Sequence, residues 1–247
     1  MFGVAAIGLA LAFGRLGLWQ LHRLEQRRTF NAERRARLAL ASIDLSGTTT
    51  GGPEALDPEV VSWRRIRTMG DYDYSREIVL RARTSLGTPG VYVVTPLRLD
   101  DGTGVLVLRG WMPARDGLSA ELGAARPAAR KTRAQVLVEG LALPLEPETS
   151  IPPRRHRFDA GEHWVLSSLS AEQVREVVPY PLAGVYVLAD GTGSAPVAVP
   201  APGLTDGPHL LYAVQWFAFA AISLIGAGVY VRRGEPAAIH LRREGQR

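Results

Sequence analysis

Long apolar runs occupy both ends of the chain, and each is long enough to form a helix that crosses a membrane. The run of residues 210–231 is apolar apart from Gln215 and Ser223. At about 1.5 Å of rise per residue, it can span a hydrocarbon core of about 30 Å. Residues 1–18 are also apolar, with Arg15 as their single charge. The pattern predicts two transmembrane helices, over residues 1–21 and 209–231.

We expect the first span to stay in the protein as an anchor and to pack against the second. Residues 1–18 contain neither the basic n-region nor the small-residue cleavage site of a secretory signal peptide. Small residues at every fourth position let transmembrane helices approach closely. They recur at Ala6, Ala10 and Gly14 in the first span and at Ser223 and Ala227 in the second.

Basic residues follow both spans, so the two signals for orientation conflict. The flank of the first span contains Arg23, Arg27, Arg28, Arg34, Arg35 and Arg37, and the C-terminal tail contains Arg232, Arg233, Arg242, Arg243 and Arg247. The positive-inside rule places basic flanks in the cytoplasm, but it governs long translocated domains weakly. We therefore expect the tail of residues 232–247 inside and a large domain of residues 22–208 outside.

Residues 22–208 form one β-rich domain with little helix. Their first part, "RLEQRRTFNAERRARLALA", continues the helix of the first span with a charged surface that faces solvent or headgroups. Strand-like runs follow, separated by turns rich in Gly, Pro and Asp. These runs cover residues 62–72, 76–84, 90–99, 104–111, 134–143, 163–169 and 183–189. The predicted fold is a β-rich barrel or sandwich with a minor helix, tethered at both ends.

Two local signals within this domain are specific. Asp101-Gly102 stands between two β-branched runs, which is typical of a hairpin turn. Successive apolar positions in both runs predict strands that are buried on both faces. "SAEQVREVV" opens with Ser170 and has Gln173 three residues later, which predicts a short helix that begins with a capping box.

Two polar stretches, residues 117–133 and 143–161, predict loops. The second contains a basic group made of Arg154, Arg155, His156 and Arg157. Such a group can meet an anionic headgroup or a propionate, but we favour a solvated turn.

The composition excludes several kinds of chemistry. The chain has 247 residues and no cysteine, which excludes disulfides, CxxC redox centres, iron–sulfur clusters and thiolate carriers of copper or zinc. The net charge is +5, and the basic residues are almost all arginine. No nucleic-acid-binding motif accompanies them. A nucleophile elbow, a phosphate loop and a zinc helix are missing, and Asp71 and Asp73 are typical of a turn. We expect neither an enzyme nor a nucleic-acid-binding protein.

Aromatic and amide residues stand at the membrane boundary of both spans. In an antiparallel pair, Trp19 and Gln20 would leave the membrane at the level where Gln215 and Trp216 enter it. Tryptophan is common at membrane interfaces, and for Trp19 and Trp216 we favour this aromatic-belt interpretation.

His209, at the same boundary, has a more specific interpretation. His209, Tyr212 and Trp216 share one face of the second helix because they are spaced by three and four. His22 and Arg23 rise beside them from the first helix. A neutral imidazole at an apolar boundary can be an axial ligand of a haem iron, and nearby arginines can pair with its propionates. A histidine tolerated at the interface is the alternative.

Four stretches, in order along the chain, resemble the Surfeit locus protein 1 family of cytochrome oxidase assembly factors. "LGLWQLHR" resembles the family's first-span motif, and "PHLLYAVQWFAFA" resembles its second-span motif. "PGVYVVTPL" and "VLVLRGWMP" are similar to its central block. The matching residues are Gly17, Trp19, Gln20 and Arg23 in the first span, Tyr212, Gln215 and Trp216 in the second, and Gly90, Thr95, Pro96, Arg109, Gly110 and Trp111 in the centre.

The resemblance implies a factor that aids haem a delivery to the catalytic subunit of an aa3-type haem-copper oxidase, with both tails cytoplasmic. His209 is then the candidate ligand of the haem iron. The candidate haem-binding set is His209, Tyr212, Gln215, Trp216, Trp19, Gln20, Arg23 and Arg109. The implied partners are the oxidase catalytic subunit, a haem a synthesis enzyme and the lipid bilayer, in a bacterial inner membrane. For Arg109, the residues themselves favour pairing with an acid or stacking on a ring.

Other functions stay open at this point. The same family fold can act as a scaffold that never holds haem, or as an accessory subunit that stays in the mature oxidase. A membrane-tethered sensor is a rival of another class, although the tail "RRGEPAAIHLRREGQR" is too short for an output module.

Overall fold

The computed structural model describes residues 2–45, 57–116, 118–125, 135–191 and 195–233. The chain divides into two compact units, one of Met1–Arg35 with Leu204–Arg247 and one of Ala36–Gly203. The helices are α1 (Phe2–Leu38), α2 (Pro58–Val61), α3 (Ala171–Val177) and α4 (His209–Arg233). The strands are β1 (Ile43–Asp44), β2 (Arg65–Tyr72), β3 (Ile78–Ser85), β4 (Thr88–Arg98), β5 (Gly104–Pro113), β6 (Val136–Pro144), β7 (Arg154–Phe158), β8 (Gly161–Leu166) and β9 (Leu182–Ala189).

The first unit is a pair of long helices, α1 and α4, each long and apolar enough to cross a membrane. The predicted continuation of the first span is confirmed, because α1 is unbroken to Leu38. The helices run antiparallel: Phe13 stacks on Trp216 at 5.6 Å between ring centroids, while Gln20, further along α1, contacts His209 at the start of α4. The predicted packing of the two spans against each other is therefore confirmed.

Side-chain contacts along this pair join residues at different offsets. Gln20 contacts His209, Phe13 stacks on Trp216, and Gly17 lies against the ring of Phe217. The Trp216 ring also meets Phe219 at 5.9 Å, and both rings lie beside Phe13. Because long side chains reach along the helix axis, the predicted alignment of Trp19 and Gln20 with Gln215 and Trp216 stays a prediction.

Small residues line the helix contact, although not all the predicted ones. Ala6, Ala10 and Ala227 are buried as expected. A Cβ added to Gly14 would meet nothing within 4 Å, whereas one at Gly17 would collide with a phenyl ring of α4. Of these two glycines, the one in close contact with α4 is therefore Gly17, three residues beyond the predicted Gly14.

The second unit is a closed β-barrel, so the barrel alternative is the correct one. Strands β2, β6, β9, β5 and β4 lie in that order, and β4 pairs again with β2 to close the ring. Asp71↔Arg98 and Tyr72↔Leu97 are the closing pairs. From β4 the sheet extends outward through β3, β8 and β7, while β1 adds to the outer side of β2.

The predicted strands are confirmed, and the β4–β5 hairpin turns at Asp101-Gly102. Gly102 has a φ of +83°, which favours glycine, and the Asp101 carboxylate accepts a hydrogen bond from the Thr103 N–H at 2.9 Å. Both strands are buried on both faces, since Val105, Leu106 and Val107 are all fully buried. They form the centre of the barrel unit's core.

The basic group in the predicted loop of residues 143–161 is strand β7, which corrects the solvated-turn interpretation. Arg154, Arg155, His156 and Arg157 pair antiparallel with β8 through a tight hairpin. The Arg155 guanidinium meets the Glu162 carboxylate at 2.7 Å and lies over the Trp164 ring. The strand has almost no apolar residues, and it forms because β8 offers a free backbone edge.

The predicted helix is α3, and its capping box is half made. The Ser170 hydroxyl accepts from the Gln173 N–H at 3.3 Å, as expected. The Gln173 side chain does not return to Ser170 and donates instead to the Ile151 carbonyl. The side chain thus ties α3 to the segment before β7. In the other predicted loop, the described residues include a 3₁₀ turn, Leu122–Ala125, and residues 126–133 lie outside the described part of the chain.

Candidate functional site

His209 is the first residue of α4, and its imidazole is held by α1. Its Nδ1 atom lies 2.9 Å from Oε1 of Gln20, which is 9% exposed. An amide oxygen only accepts hydrogen bonds, so Nδ1 carries the proton and donates it. In this tautomer Nε2 has a free lone pair. The geometry therefore presents one ligand nitrogen with a fixed orientation.

Gly207 lies beside that nitrogen. It has a φ of +70°, a conformation that other residues rarely adopt. A Cβ atom at this position would lie 3.6 Å from Nε2 and 3.5 Å from Cδ2 of His209, which is ordinary van der Waals contact. The glycine is therefore needed for the turn into α4, which passes beside the imidazole.

The segment of residues 204–206, called the strap, fixes the start of α4 through polar side chains of α1. Arg35 donates to the Leu204 carbonyl at 2.8 Å. Asn31, which is almost fully buried, donates to the Thr205 carbonyl at 3.0 Å. Part of the basic surface predicted to face solvent or headgroups therefore has an internal role.

Asp206 completes the strap with a charged contact. Its carboxylate lies 3.2 Å from Nε of Arg28. The hydrogen bond from Arg28 holds the pKa of Asp206 below its usual value. The carboxylate is therefore ionised near neutral pH and complements a basic stretch of α1.

The other predicted residues of the helix pair are more exposed. Trp19 and Tyr212 are about half exposed, and Gln215 is exposed. Arg23 lies 5.9 Å from the Trp19 ring and donates to Gln26 of its own helix. The structure thus joins His209 to Gln20 and Arg23 to Trp19, and it places Trp216 against Phe13 instead.

Arg109 belongs to the barrel unit, where a buried acid holds it. Its guanidinium lies 3.3 Å from Oε2 of Glu77, which also accepts from the Thr95 hydroxyl at 3.0 Å. The Glu77 side chain is fully buried, and that of Arg109 is 12% exposed. Rings of Tyr72 and Tyr74 lie 5.4 and 5.5 Å from the guanidinium. Both expected contacts of Arg109, with an acid and with rings, are present.

The sequence analysis did not single out Glu77, His163 or Asn31. His163 Nδ1 lies 4.0 Å from Oε1 of Glu77, and both side chains are buried. A signal for Glu77 was available, since it is an acid directly before the apolar run "IVL". For Asn31 nothing in the local pattern indicated burial.

Other central-block residues shape the barrel. A Cβ on Gly90 would lie 2.4 Å from the Trp111 indole nitrogen and 2.2 Å from the Met112 carbonyl oxygen. A Cβ on Gly110 would lie 2.5 Å from the Val197 carbonyl oxygen. Trp111 in turn exchanges backbone hydrogen bonds with Val197. These glycines are needed because neighbouring backbone and the Trp111 ring approach closely.

The chain matches a known family over most of its length. The SURF1 family model covers residues 7–221, which include both long helices in large part and the whole barrel. The chain belongs to the SURF1 family. Members of the SURF1 family are known as cytochrome c oxidase assembly factors, and the family is not one of enzymes. The resemblance found in the sequence is thereby confirmed.

Relatives in the SURF1 family are distant, and two of the three described here match over most of the chain. A SURF1-like protein of Rickettsia felis is 26% identical over 226 residues, covering 88% of this chain and 91% of the relative. An uncharacterised SURF1-like protein of Mycobacterium tuberculosis is 26% identical over 222 residues, covering 89% and 78%. A SURF1-like protein of Dictyostelium discoideum is 33% identical over 104 residues, covering 41% and 38%.

Proposed function

We propose that this protein assists assembly of an aa3-type haem-copper cytochrome c oxidase in a bacterial inner membrane, by binding haem a or delivering it to the catalytic subunit. Family membership supports the assembly role. Two candidate membrane spans support a membrane location. The proposed orientation, with both tails cytoplasmic and the barrel outside, is the one that the sequence resemblance implies. A haem a synthesis enzyme is a further partner, as the source of the cargo.

The residues around His209 fit a haem, which is the observation that carries the proposal. The Gln20 contact at 2.9 Å leaves Nε2 as a lone-pair donor. A hydrogen bond on the far nitrogen is the usual support of a metal-ligating histidine. When bound, haem a supplies an iron that takes an axial nitrogen ligand. His209 would hold that iron, and Arg23 would pair with a propionate.

The four other residues of the set on the two long helices would contact the haem through their side-chain surfaces. Trp19, Tyr212, Gln215 and Trp216 stand on the same helix pair and offer ring faces and an amide to a large planar ligand. Among the described residues, no group of three or more acids and histidines is placed to hold a bare metal ion. A porphyrin brings four nitrogen ligands of its own, so a single histidine is sufficient.

The test is to purify the full-length protein from a host that makes haem a and to record its absorbance spectrum. We expect a stoichiometric haem a band that His209→Ala abolishes. His22→Ala is the matched control, because His22 is an exposed histidine of α1, and its band should persist.

Complementation of an assembly-deficient strain completes the experiment. A colourless protein that still restores oxidase assembly would refute haem binding and leave a scaffold. Retention in the purified oxidase at one copy per complex would indicate an accessory subunit. Failure to restore the oxidase at all would refute the assembly function itself.

A further inference from the structure

A cavity in the barrel unit is lined by four arginines that the assembly function does not use. Its volume is 440 Å³, within the range of about 300–1,000 Å³ typical of small-molecule sites. Arg81 and Arg83 come from β3, Arg115 follows β5, and Arg154 begins β7. Elements distant in sequence thus converge their positive charges on one concave surface.

The positive charge of this cavity is mostly uncompensated. Among the described residues, Arg83 alone of the four has an acid partner, Glu146 at 3.2 Å, and it also donates to the Ser167 carbonyl. Within the described ranges, Arg81, Arg115 and Arg154 have no carboxylate at ion-pair distance. Like charges repel across a shared cavity, so an anionic occupant would lower its free energy.

The acid in the cavity wall supplies only part of the missing compensation. Asp116 accepts hydrogen bonds from the N–H groups of Leu118 at 2.8 Å and Ser119 at 2.7 Å. These bonds lower its pKa. The carboxylate is therefore ionised and offsets one positive charge, so the four arginines keep an excess of about two charges over Glu146 and Asp116.

A bulge in β3 lies in the cavity wall. The ladder between β3 and β4 shifts register between Leu80 and Arg83, and Ala82 in the bulge has a φ of +57°. Bulges recur next to binding sites, and a left-handed alanine is a strained conformation. Arg81 and Arg83 flank Ala82, and all three residues line the cavity.

We propose that this cavity binds a phosphate group. The arginine fork matches phosphate oxygens in geometry as well as charge, and a phosphate with two negative charges suits the excess positive charge of the cavity. Two sources offer this chemistry, a phospholipid headgroup and free inorganic phosphate. The β3–β4 hairpin carries Leu86, fully exposed at its tip, which favours the lipid.

The test uses the full-length protein in a neutral detergent. Its affinity is measured by isothermal titration calorimetry for three probes at fixed ionic strength: dioctanoyl phosphatidate, dioctanoyl phosphatidylcholine and inorganic phosphate. We expect phosphatidate to bind and the zwitterionic lipid to bind at least tenfold more weakly. Binding of inorganic phosphate with equal affinity would identify the soluble ion as the source.

Variants locate the site. Arg81→Gln with Arg154→Gln should weaken phosphate binding about tenfold or more, because each removes a charge-assisted contact. Arg115→Gln, at an exposed position, should weaken it without affecting folding. Arg157→Gln is the matched control, since Arg157 lies on β7 but outside the cavity lining. The proposal is overturned if no phosphate probe binds or if the control loses as much affinity as the cavity variants.

Discussion

A Cβ atom on Gly17 would lie 2.7 Å from Cε1 of Phe217, so the phenyl ring of α4 occupies the space that any larger residue of α1 would need. Real Cβ atoms do not come this close to another atom. The glycine is therefore a requirement of the helix pair, and Gly14, one turn away, faces open space.

Gly17→Leu should separate α1 from α4, whereas Gly14→Leu should not. Overpacking of this kind costs about 1–3 kcal/mol. The chain has no natural cysteine, so the pair Gln20→Cys and His209→Cys, joined by a short bismaleimide, reports helix contact. We expect the crosslinking yield to fall in Gly17→Leu and to stay unchanged in Gly14→Leu. Equal yields in both variants would show that the ring of Phe217 can move aside.

Gln20→Leu should weaken haem a binding about 10- to 100-fold, as loss of a hydrogen-bond partner does for other metal-ligating histidines. The variant removes the acceptor that sets the His209 tautomer. The measurement is a haem titration followed by absorbance. Gln135→Leu makes the same change at an exposed position of the barrel unit and should bind normally, so equal losses in the two variants would contradict a role for the tautomer.

Arg109→Met should destabilise the barrel by about 3–5 kcal/mol, because it leaves the buried Glu77 carboxylate without its cation. Thermal unfolding followed by circular dichroism measures the loss. Arg67→Met is the control: Arg67 and Glu139 form an exposed pair at 3.5 Å, and such pairs contribute at most about 1 kcal/mol. The double variant with Glu77→Gln should recover part of the stability, and a purely additive loss would exclude coupling between the two.

Tyr186 should make the barrel sensitive to alkaline pH. Burial, and next the carboxylate of Glu146, raise the pKa of Tyr186 to about 12. A raised pKa means that its contribution to stability is complete below pH 10 and is lost as pH rises from about 10 to 12. In Tyr186→Phe the free energy of unfolding should fall less over that interval. A difference titration of tyrosinate absorbance checks the pKa directly, and a midpoint near 10 would refute the assignment.

The sequence predicted the elements that carry their own apolar signal. Both long helices contain continuous apolar runs, and the central strands, such as β4 and β5, bury theirs, so pattern and structure agree. Strand β7 was missed because "RRHRF" has no such run and depends on pairing with β8. The choice of barrel over sandwich depends on pairs such as Tyr72↔Leu97, which are remote in sequence and leave no local pattern.

The candidate site was predictable in part. His209 and Gln20 were both singled out, but their contact was not, because it depends on how the two long helices pack against each other. The buried position of Glu77 beside Arg109 also depends on tertiary packing. A motif indicates which residues are candidates, but which of them contact each other depends on the three-dimensional fold.

The position of β9 in the barrel determines when this domain can fold during synthesis. Strand β9 lies between β6 and β5, so the ring has a gap until residue 189 has been made. Strands β5 and β6 each keep an unpaired backbone edge until β9 has been synthesised, and such long-range pairing is intrinsically slow. The barrel can therefore close only shortly before the second long helix is synthesised. Until then, α1 is the one long helix that could hold the nascent chain in a membrane.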